Sequence, residues 1–267
     1  MRITRRSYSL IALVVAAVLV ADAQSPATKD TTALAVLTQM AAATGWSQFT
    51  LPADAVATGT VTRYQGDASD SVTVRLKARG LRQYCAEVGG FSGTTTIRNG
   101  DRAVLQTSQG TQELAAHSAQ SLRAITFPFF SDLTATAGQD MAVRYAGLEA
   151  IGDEKAHRVE IFRELGTERP DAEFTRRASR MTVWVSATTW LPLQIEYTRP
   201  GDDNPSALLT RVRRFSDWRA VNGLALPFRQ EEFINGKAFY SLQLSQAQFN
   251  VGLSDADFAL PPAPEEQ

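Results

Sequence analysis

Apolar and polar residues alternate through most of the second half of the chain, and this period of two constrains the fold more than any other feature. In the segment LPLQIEYT, residues 191–198, apolar side chains occupy the odd positions and polar side chains the even positions from Leu193 onward. The segment SVTVRLKARG, residues 71–80, shows the same pattern in the first half. This spacing predicts strands with one apolar face and one solvated face. Such strands are typical of antiparallel sheets.

Short turn sequences separate these strands. Asn-Gly pairs stand at 99–100, 222–223 and 235–236, and Gly152-Asp153 separates two further alternating runs. Asn-Gly favours the two-residue turns that join neighbouring antiparallel strands. The second half of the chain is therefore predicted to be a meander of hairpins.

Two segments have helical periodicity instead. The first is DTTALAVLTQMAAATG, residues 30–45, which Asp30 or Thr31 can cap and Gly45 can end. Its predicted apolar side consists of Leu34, Leu37, Met40 and Ala41. The second is QELAAHSAQSLRAI, residues 112–125, and it runs into the aromatic segment ITFPFFSDL, residues 125–133. The polar stretch 165–179 is predicted to be a loop, and the segment 252–262 a short edge segment.

These elements predict an α+β protein with a strongly curved antiparallel sheet. About ten strands follow from the alternation, and a flat sheet of that size would be nearly 50 Å wide at about 4.8 Å between strands. Two helices, each about 10 Å across, cannot cover such a sheet. The sheet must therefore curl into a half-barrel, with the two helices as plug and lid and an interior that is either an apolar pocket or filled by side chains.

The N-terminus has the pattern of a secretory signal peptide. Arginines at positions 2, 5 and 6 precede an apolar run, and Ala21-Asp22-Ala23 is a small-x-small cleavage site. Signal peptides have this order of basic, apolar and small residues. We expect a signal peptide at 1–23 with cleavage after Ala23, and a periplasmic or secreted protein. A linker at 24–29, a single domain at 30–262 and a disordered tail at 263–267 complete the expected organisation.

Little in the composition points to chemistry. The net charge of −1 gives no electrostatic case for nucleic acid binding. His117 and His157 are the two histidines and Cys85 is the single cysteine, which leaves no histidine-rich metal site, no internal disulfide and no nucleophile beside a base. We expect no cofactor, no metal and no enzymatic activity, and Cys85 is expected to be a buried, inert thiol.

The order of elements resembles the LolA/LolB-like superfamily of periplasmic lipoprotein carriers. The segments that carry the resemblance are WVSATTWLPLQIEYT (184–198), RRFSDWRAVNGLALPFRQEEFINGK (213–237) and GLSDADFALP (252–261). The resemblance implies a sheet wrapped around an apolar cavity with helices as the lid. It does not define the ligand, and none of the family's functional residues can be placed on this sequence.

We therefore expect an exported, non-catalytic protein that binds a lipid or the acyl chains of a lipoprotein, with peripheral contact with the outer membrane compatible with that role. The alternative is an envelope interaction or sensor module with a filled interior and a protein partner, for which Trp184, facing away from the apolar side of its strand, is the expected exposed contact. The predicted ligand-binding residues are Phe127, Phe129, Phe130, Val183, Ile195, Tyr197, Leu226 and Phe228.

Overall fold

A computed structural model of the chain describes residues 27–45, 52–80, 82–89, 93–114, 141–166, 168–200 and 207–261. The predicted signal peptide, the three clustered phenylalanines of residues 127–130 and the tail lie outside these residues. Of the helix predicted at 112–125, Gln112 and Glu113 belong to a strand instead, and everything after Leu114 lies outside the described residues.

Thirteen strands form one antiparallel sheet. They are β1 (Asp54–Gln65), β2 (Ala68–Arg79), β3 (Gln83–Val88), β4 (Thr94–Asn99), β5 (Arg102–Thr107), β6 (Gly110–Glu113), β7 (Met141–Ile151), β8 (Glu154–Arg163), β9 (Met181–Ser186), β10 (Pro192–Pro200), β11 (Leu208–Val221), β12 (Leu224–Ile234) and β13 (Lys237–Phe249). Their order across the sheet is β6-β5-β4-β3-β2-β1-β13-β12-β11-β10-β9-β8-β7. The prediction of about ten strands was too low, since strands as short as the four-residue β6 are too brief to show alternation.

Two of the three Asn-Gly pairs form the predicted turns. At 99–100 the hairpin forms, but Asn99 is the last residue of β4 and Gly100, with φ of 67°, begins the turn. Asn222 and Gly223 have φ of 49° and 82°, and Asn235 and Gly236 have φ of 48° and 79°. Two successive residues with positive φ define the turn whose twist matches that of antiparallel strands. These turns join β11 to β12 and β12 to β13, as the sequence predicts.

The first helix, α1, spans Thr31–Thr44 and begins and ends where its sequence signals lie. The Asp30 carboxylate accepts hydrogen bonds from the backbone N–H groups of Thr32 and Ala33, and Gly45 adopts φ of 84°. These are the usual N-terminal and C-terminal caps of a helix. The buried side differs from the predicted one: it consists of Ala33, Val36, Leu37, Met40 and Thr44. Leu34 is 37% exposed.

Helix α1 lies across the strands on one face of the sheet, called here the inner face. Just before the helix, the backbone N–H of Asp30 donates to the carbonyl of Val143 in β7. At the other end, Gly45 lies against Gly223, in the turn before β12. Five strand intervals separate β7 from β12, about 24 Å in a flat sheet, while a 14-residue helix is about 21 Å long. One helix thus covers this half of the inner face.

The sheet is curved but open. Strands β11 and β13 approach within 8 Å between Cα atoms in places although β12 lies between them, whereas flat strands two apart are about 9.6 Å from each other. The sheet therefore bends at β12. Its two outermost strands, β6 and β7, do not pair with each other among the described residues, so the curved sheet predicted from the sequence is confirmed without closure.

Two apolar clusters divide the inner face. The helix-side cluster contains α1 residues together with Val143, Val159, Ile161, Val183, Val185, Ile195 and Phe215. The cavity-side cluster contains Ala55, Ala57, Val74, Leu76, Tyr84, Ala86, Leu224, Leu226, Phe228, Leu242, Leu244 and Phe249. Helix α1 packs on the first cluster, so the second must be covered by something else or remain open.

The outer face carries two elements that the sequence did not predict. A second helix, α2 (Ala172–Ala178), occupies the segment predicted as a loop, and its Arg176 lies over the ring of Phe162. A 3₁₀ turn at Asp255–Phe258 replaces the predicted edge segment and buries Phe258 against Cys85, Ile97 and Val104. The 3₁₀ turn buries one residue of its own, Phe258, and α2 buries none, so neither segment has an apolar periodicity that would predict it.

Cys85 is buried, and burial together with the nearby Glu87 carboxylate raises the pKa of its thiol. The described residues contain no helix long and apolar enough to cross a membrane.

Candidate functional site

A cavity of about 550 Å³ opens on the part of the inner face that α1 does not cover. Its described lining comes from β1, β2, β3, β4 and β13. The lining residues are Val61, Arg63, Tyr64, Gln65, Ala68, Ser69, Asp70, Val74, Leu76, Tyr84, Ala86, Val88, Thr96, Phe239, Tyr240 and Leu242. The volume falls within the range of roughly 300–1,000 Å³ that small-molecule sites occupy.

The cavity has an apolar floor and a mixed rim. The floor consists of buried side chains of the central strands, among them Val74, Leu76, Ala86 and Leu242. The rim is exposed and comes from the β1–β2 hairpin and from the start of β13, where Phe239 is 45% exposed beside Arg63 and Asp70. Strand pairing explains why three strands contribute to one floor. Alternate residues of a strand point to the same face of the sheet. Gly59 of β1 pairs with Val74 of β2 and with Leu244 of β13, so the inner-face residues of these strands lie side by side.

A group of polar side chains borders the cavity on the same face, called here the polar cluster: Arg211, Arg213, Gln230, Glu232 and Tyr240. The register places Arg213 opposite Glu232, and Glu232 opposite Tyr240, across β11, β12 and β13. Tyr240 also lines the cavity, so the two features are continuous.

Glu232 is the centre of the polar cluster. Its Oε1 accepts from Nη1 of Arg211 at 2.7 Å, and its Oε2 accepts from Nε of Arg213 at 3.0 Å and from Nη2 of the same side chain. Burial opposes the carboxylate charge, but the two guanidinium groups outweigh that effect and hold the pKa of Glu232 below its usual value. Both Glu232 and Arg213 therefore carry their charges in a buried position.

The opposite shift occurs at Tyr240 and keeps its hydroxyl protonated. Burial raises the pKa of the Tyr240 hydroxyl well above its usual range. Burial likewise opposes the charge on Arg213, yet Tyr240, Tyr197 and Glu232 together keep the pKa of this guanidinium raised. The cluster thus presents a neutral hydroxyl beside a permanent buried cation.

The predicted ligand-binding residues lie in different parts of the structure. Val183 and Ile195 are buried beneath α1 in the helix-side cluster, with Tyr197 packed at its edge. Leu226 and Phe228 belong to the cavity-side cluster. None of these five is part of the cavity's described lining, and Phe127, Phe129 and Phe130 lie outside the described residues. Their assignment as ligand contacts stays a prediction.

Trp184 is not exposed, contrary to the expectation for a partner-binding residue. It points away from the helix-side cluster, as its parity predicts, but it is only 6% exposed. The guanidinium of Arg158 lies over its ring and its indole N–H donates to the carboxylate of Glu149. Long charged side chains of neighbouring strands cover the ring through their aliphatic stems, which strand parity alone cannot reveal.

His157 has structural contacts on the helix side. Its Nδ1 lies 3.0 Å from the hydroxyl of Tyr145, and its ring stacks on Trp190 with a centroid distance of 5.0 Å. The described residues include no group of three or more His, Cys, Asp or Glu side chains that could hold a metal ion.

The cavity's own residues were missed by the sequence analysis, although a signal for some of them was present. The alternation that predicts β2 already places Val74 and Leu76 on the apolar face. It contains no information about which part of that face the helix covers, and this decides where the cavity lies.

The comparisons with known proteins concern the fold. No protein-family model and no curated protein matches this sequence. A LolA superfamily protein of Nitrosomonas europaea has a TM-score of 0.55 and 14% identity, with 85% of this chain and 97% of that chain covered. A candidate outer membrane lipoprotein-sorting protein domain of Vibrio parahaemolyticus has a TM-score of 0.54 and 14% identity, with 84% and 95% covered.

A DUF1329 family protein of Desulfovibrio piger is similar to the same extent, with a TM-score of 0.53, 13% identity and 85% and 96% of the two chains covered. Each alignment extends over most of both chains, so the likeness concerns the whole curved sheet. The layout recognised in the sequence is thereby confirmed: this chain has the fold of LolA superfamily proteins.

Proposed function

We propose that this protein is an exported carrier that binds an apolar ligand, a lipid or a lipoprotein acyl chain, in the inner-face cavity and transfers it without catalysis. The observation that carries the proposal is the cavity itself: about 550 Å³ with a floor of buried aliphatic side chains. The fold shared with a LolA superfamily protein and with a candidate lipoprotein-sorting domain supports a ligand of lipid character. The signal peptide predicted at 1–23 supports a periplasmic or secreted location.

The cavity favours a carrier over an interaction module. A module that only presents its surface to a protein partner has no use for unfilled space, because a cavity forfeits contacts that packed side chains would make. A ligand recovers that loss by burying hydrocarbon, which contributes about 25 cal/mol per Å² of apolar surface before the cost of association.

Native mass spectrometry of the mature protein, followed by solvent extraction, tests the proposal directly. A discrete excess mass that is extracted as lipid is the expected result. In parallel, the protein is titrated with a neutral naphthylamine fluorophore, whose emission rises in apolar surroundings. A mature protein that carries no lipid and takes up no fluorophore would contradict the proposal and favour the filled-interior module.

Ala86→Phe locates the binding event. Ala86 is buried and lines the cavity, and a benzene-sized group occupies about 150 Å³ of such a space. We expect fluorophore affinity to fall about tenfold or more. Ala150→Phe is the matched control, because Ala150 is exposed on β7 and the same substitution there leaves the cavity unchanged. Equal affinity of the two variants would place the binding elsewhere.

A further inference from the structure

The carboxylate of the polar cluster is shared between two cations. Arg211 and Arg213 share Glu232, whose two carboxylate oxygens are both occupied by these guanidinium groups. Side-chain exposure is 18% for Arg211, 3% for Arg213 and 1% for Glu232. Because Arg211 shares this carboxylate with Arg213, its Nε is a charged donor that a further acceptor can join.

The same cluster contains polar atoms without partners. The side chain of Gln230 is fully buried, and neither its amide nitrogen nor its amide oxygen forms a hydrogen bond within the part of the chain that the structure describes. The Tyr240 hydroxyl and Nε of Arg211 are in the same condition. Buried polar groups in folded proteins are nearly always hydrogen-bonded, and each one left without a partner costs about 1–3 kcal/mol. Three such groups in one cluster form a set of donors and acceptors that a polar ligand can satisfy.

These donors border the cavity. Gln230 pairs across the sheet with Leu242, and Tyr240 follows on the same face of β13; Leu242 and Tyr240 both line the cavity. A ligand whose hydrocarbon occupies the cavity would therefore bring one of its ends to the polar cluster. The hydroxyl of Tyr240, the amide of Gln230 and Nε of Arg211 can all donate to that end.

The cavity also limits how much hydrocarbon can enter. A cavity of about 150 Å³ holds one benzene molecule, which has six carbon atoms. By the same proportion, the cavity of about 550 Å³ accommodates about twenty carbon atoms. That corresponds to a single long acyl chain rather than to several chains bound together.

We propose that the ligand of this cavity is an acidic amphiphile with one acyl chain, whose carboxylate or phosphate binds the polar cluster while the chain fills the cavity. This inference rests on the proposed carrier function and adds the chemical class of the ligand to it. The anion accepts the hydrogen bonds that the Tyr240 hydroxyl, the Gln230 amide nitrogen and Nε of Arg211 leave unmade.

The test compares oleic acid with oleyl alcohol, which has the same chain and a neutral head, as competitors of the naphthylamine fluorophore on the delipidated mature protein. We expect the acid to bind about tenfold tighter or better, because charge-assisted hydrogen bonds are stronger than neutral ones. Equal affinities would overturn the inference while leaving the carrier function intact. Failure of both compounds to bind would contradict the carrier function as well.

Two variants assign the preference to the polar cluster. Tyr240→Phe and Gln230→Met each remove polar atoms that have no partner in the described structure. We therefore expect stability in urea to be unchanged or higher, while the preference for the acid is lost. Tyr145→Phe is the matched control: its hydroxyl lies 3.0 Å from Nδ1 of His157 on the helix side, and Tyr145 is not part of the cavity's described lining. Its preference for the acid should remain.

A different pattern would identify the cluster as purely structural. If Tyr240→Phe and Gln230→Met destabilise the protein and still prefer the acid as the wild type does, the polar cluster does not bind the headgroup and the inference is wrong. A binding role predicts lost preference for the acid with unchanged or higher stability, and a structural role predicts lower stability with unchanged preference. A folding defect therefore cannot be mistaken for a binding defect.

Discussion

At the scale of single residues, Glu232 is the position at which we expect removal of one charge to reduce the free energy of unfolding most. Its carboxylate is 1% exposed and bound by two arginines. Glu232→Gln keeps the shape of the side chain but removes the carboxylate charge that Arg211 and Arg213 both bind. Removal of one partner of a buried ion pair costs about 3–5 kcal/mol. Urea unfolding at neutral pH measures this loss. The control is Glu231→Gln on the solvated face of the same strand, with an expected change below about 1 kcal/mol.

The same residue gives stability a defined pH dependence. Because the pKa of Glu232 is lowered in the folded state, the unfolded chain binds the proton more readily as the solution is acidified. The stabilisation is therefore complete above the ordinary carboxyl pKa of 4.5 and is lost as the pH falls through the folded-state value. We expect the urea midpoint of the wild type to fall more steeply than that of Glu232→Gln between neutral and acidic pH. Parallel pH profiles would contradict this assignment.

At the scale of elements, α1 stabilises one half of the sheet without entering the cavity. Met40 is 2% exposed in the helix-side cluster, whereas Leu34 is 37% exposed on the same helix. We expect Met40→Ala to cost about 2–5 kcal/mol of unfolding free energy and Leu34→Ala less than about 1 kcal/mol. Fluorophore affinity, measured well below the unfolding transition, should be the same for both variants. A weaker affinity in Met40→Ala alone would mean that α1 contributes to the ligand site.

Elements were predictable from the sequence wherever the determinant is local. Asp30 and Gly45 delimit α1 because capping depends on a few neighbouring residues, and Asn222-Gly223 specifies its turn in the same way. The prediction of a loop at 165–179 was wrong because α2 is supported by a contact between its Arg176 and Phe162 of β8. Local patterns thus specify helix ends and hairpins, while contacts between distant segments decide whether a weak segment becomes ordered.

The candidate site was less predictable for a related reason. The sequence identifies Val183, Ile195 and Tyr197 as apolar-face residues, and the structure agrees, but α1 covers that half of the face. Val74 and Leu76 have the same alternation and lie in the cavity. The difference between core and cavity depends on where a helix more than a hundred residues from Val183 comes to rest. The polar cluster could not be predicted either, because the arginines that bind Glu232 come from another strand, β11.

At the scale of the whole molecule, one strand pair joins the two parts of the sheet. Strands β1–β6 and β7–β13 each follow the order of the sequence, and within the described residues only the pairing of β1 with β13 connects them. This pairing brings together residues almost two hundred positions apart, such as Ala55 and Phe249. The cavity spans the junction, because its floor includes Val74 and Leu242 from its two sides.

Gly59 is the position at which this junction can be tested. It lies at a register shift between β1 and β13, and a Cβ added there would come within 2.2 Å of the carbonyl oxygen of Gln243 and 2.8 Å of the Cα of Leu244. Backbone atoms cannot rotate away, so Gly59→Ala must displace the strands. We expect a loss of at least about 1–3 kcal/mol in unfolding free energy together with weaker fluorophore binding in the protein that remains folded.

Gly66→Ala separates this effect from the general cost of replacing glycine. Gly66 has φ of 61° in the β1–β2 turn with no atom within 4 Å of the added Cβ, so alanine there is strained by about 1–2 kcal/mol without moving a strand. Its fluorophore affinity should equal that of the wild type. If Gly59→Ala also retains full affinity, the cavity does not depend on the alignment of the two half-sheets. If affinity falls only in Gly59→Ala, the junction that unites the sheet also shapes the binding site.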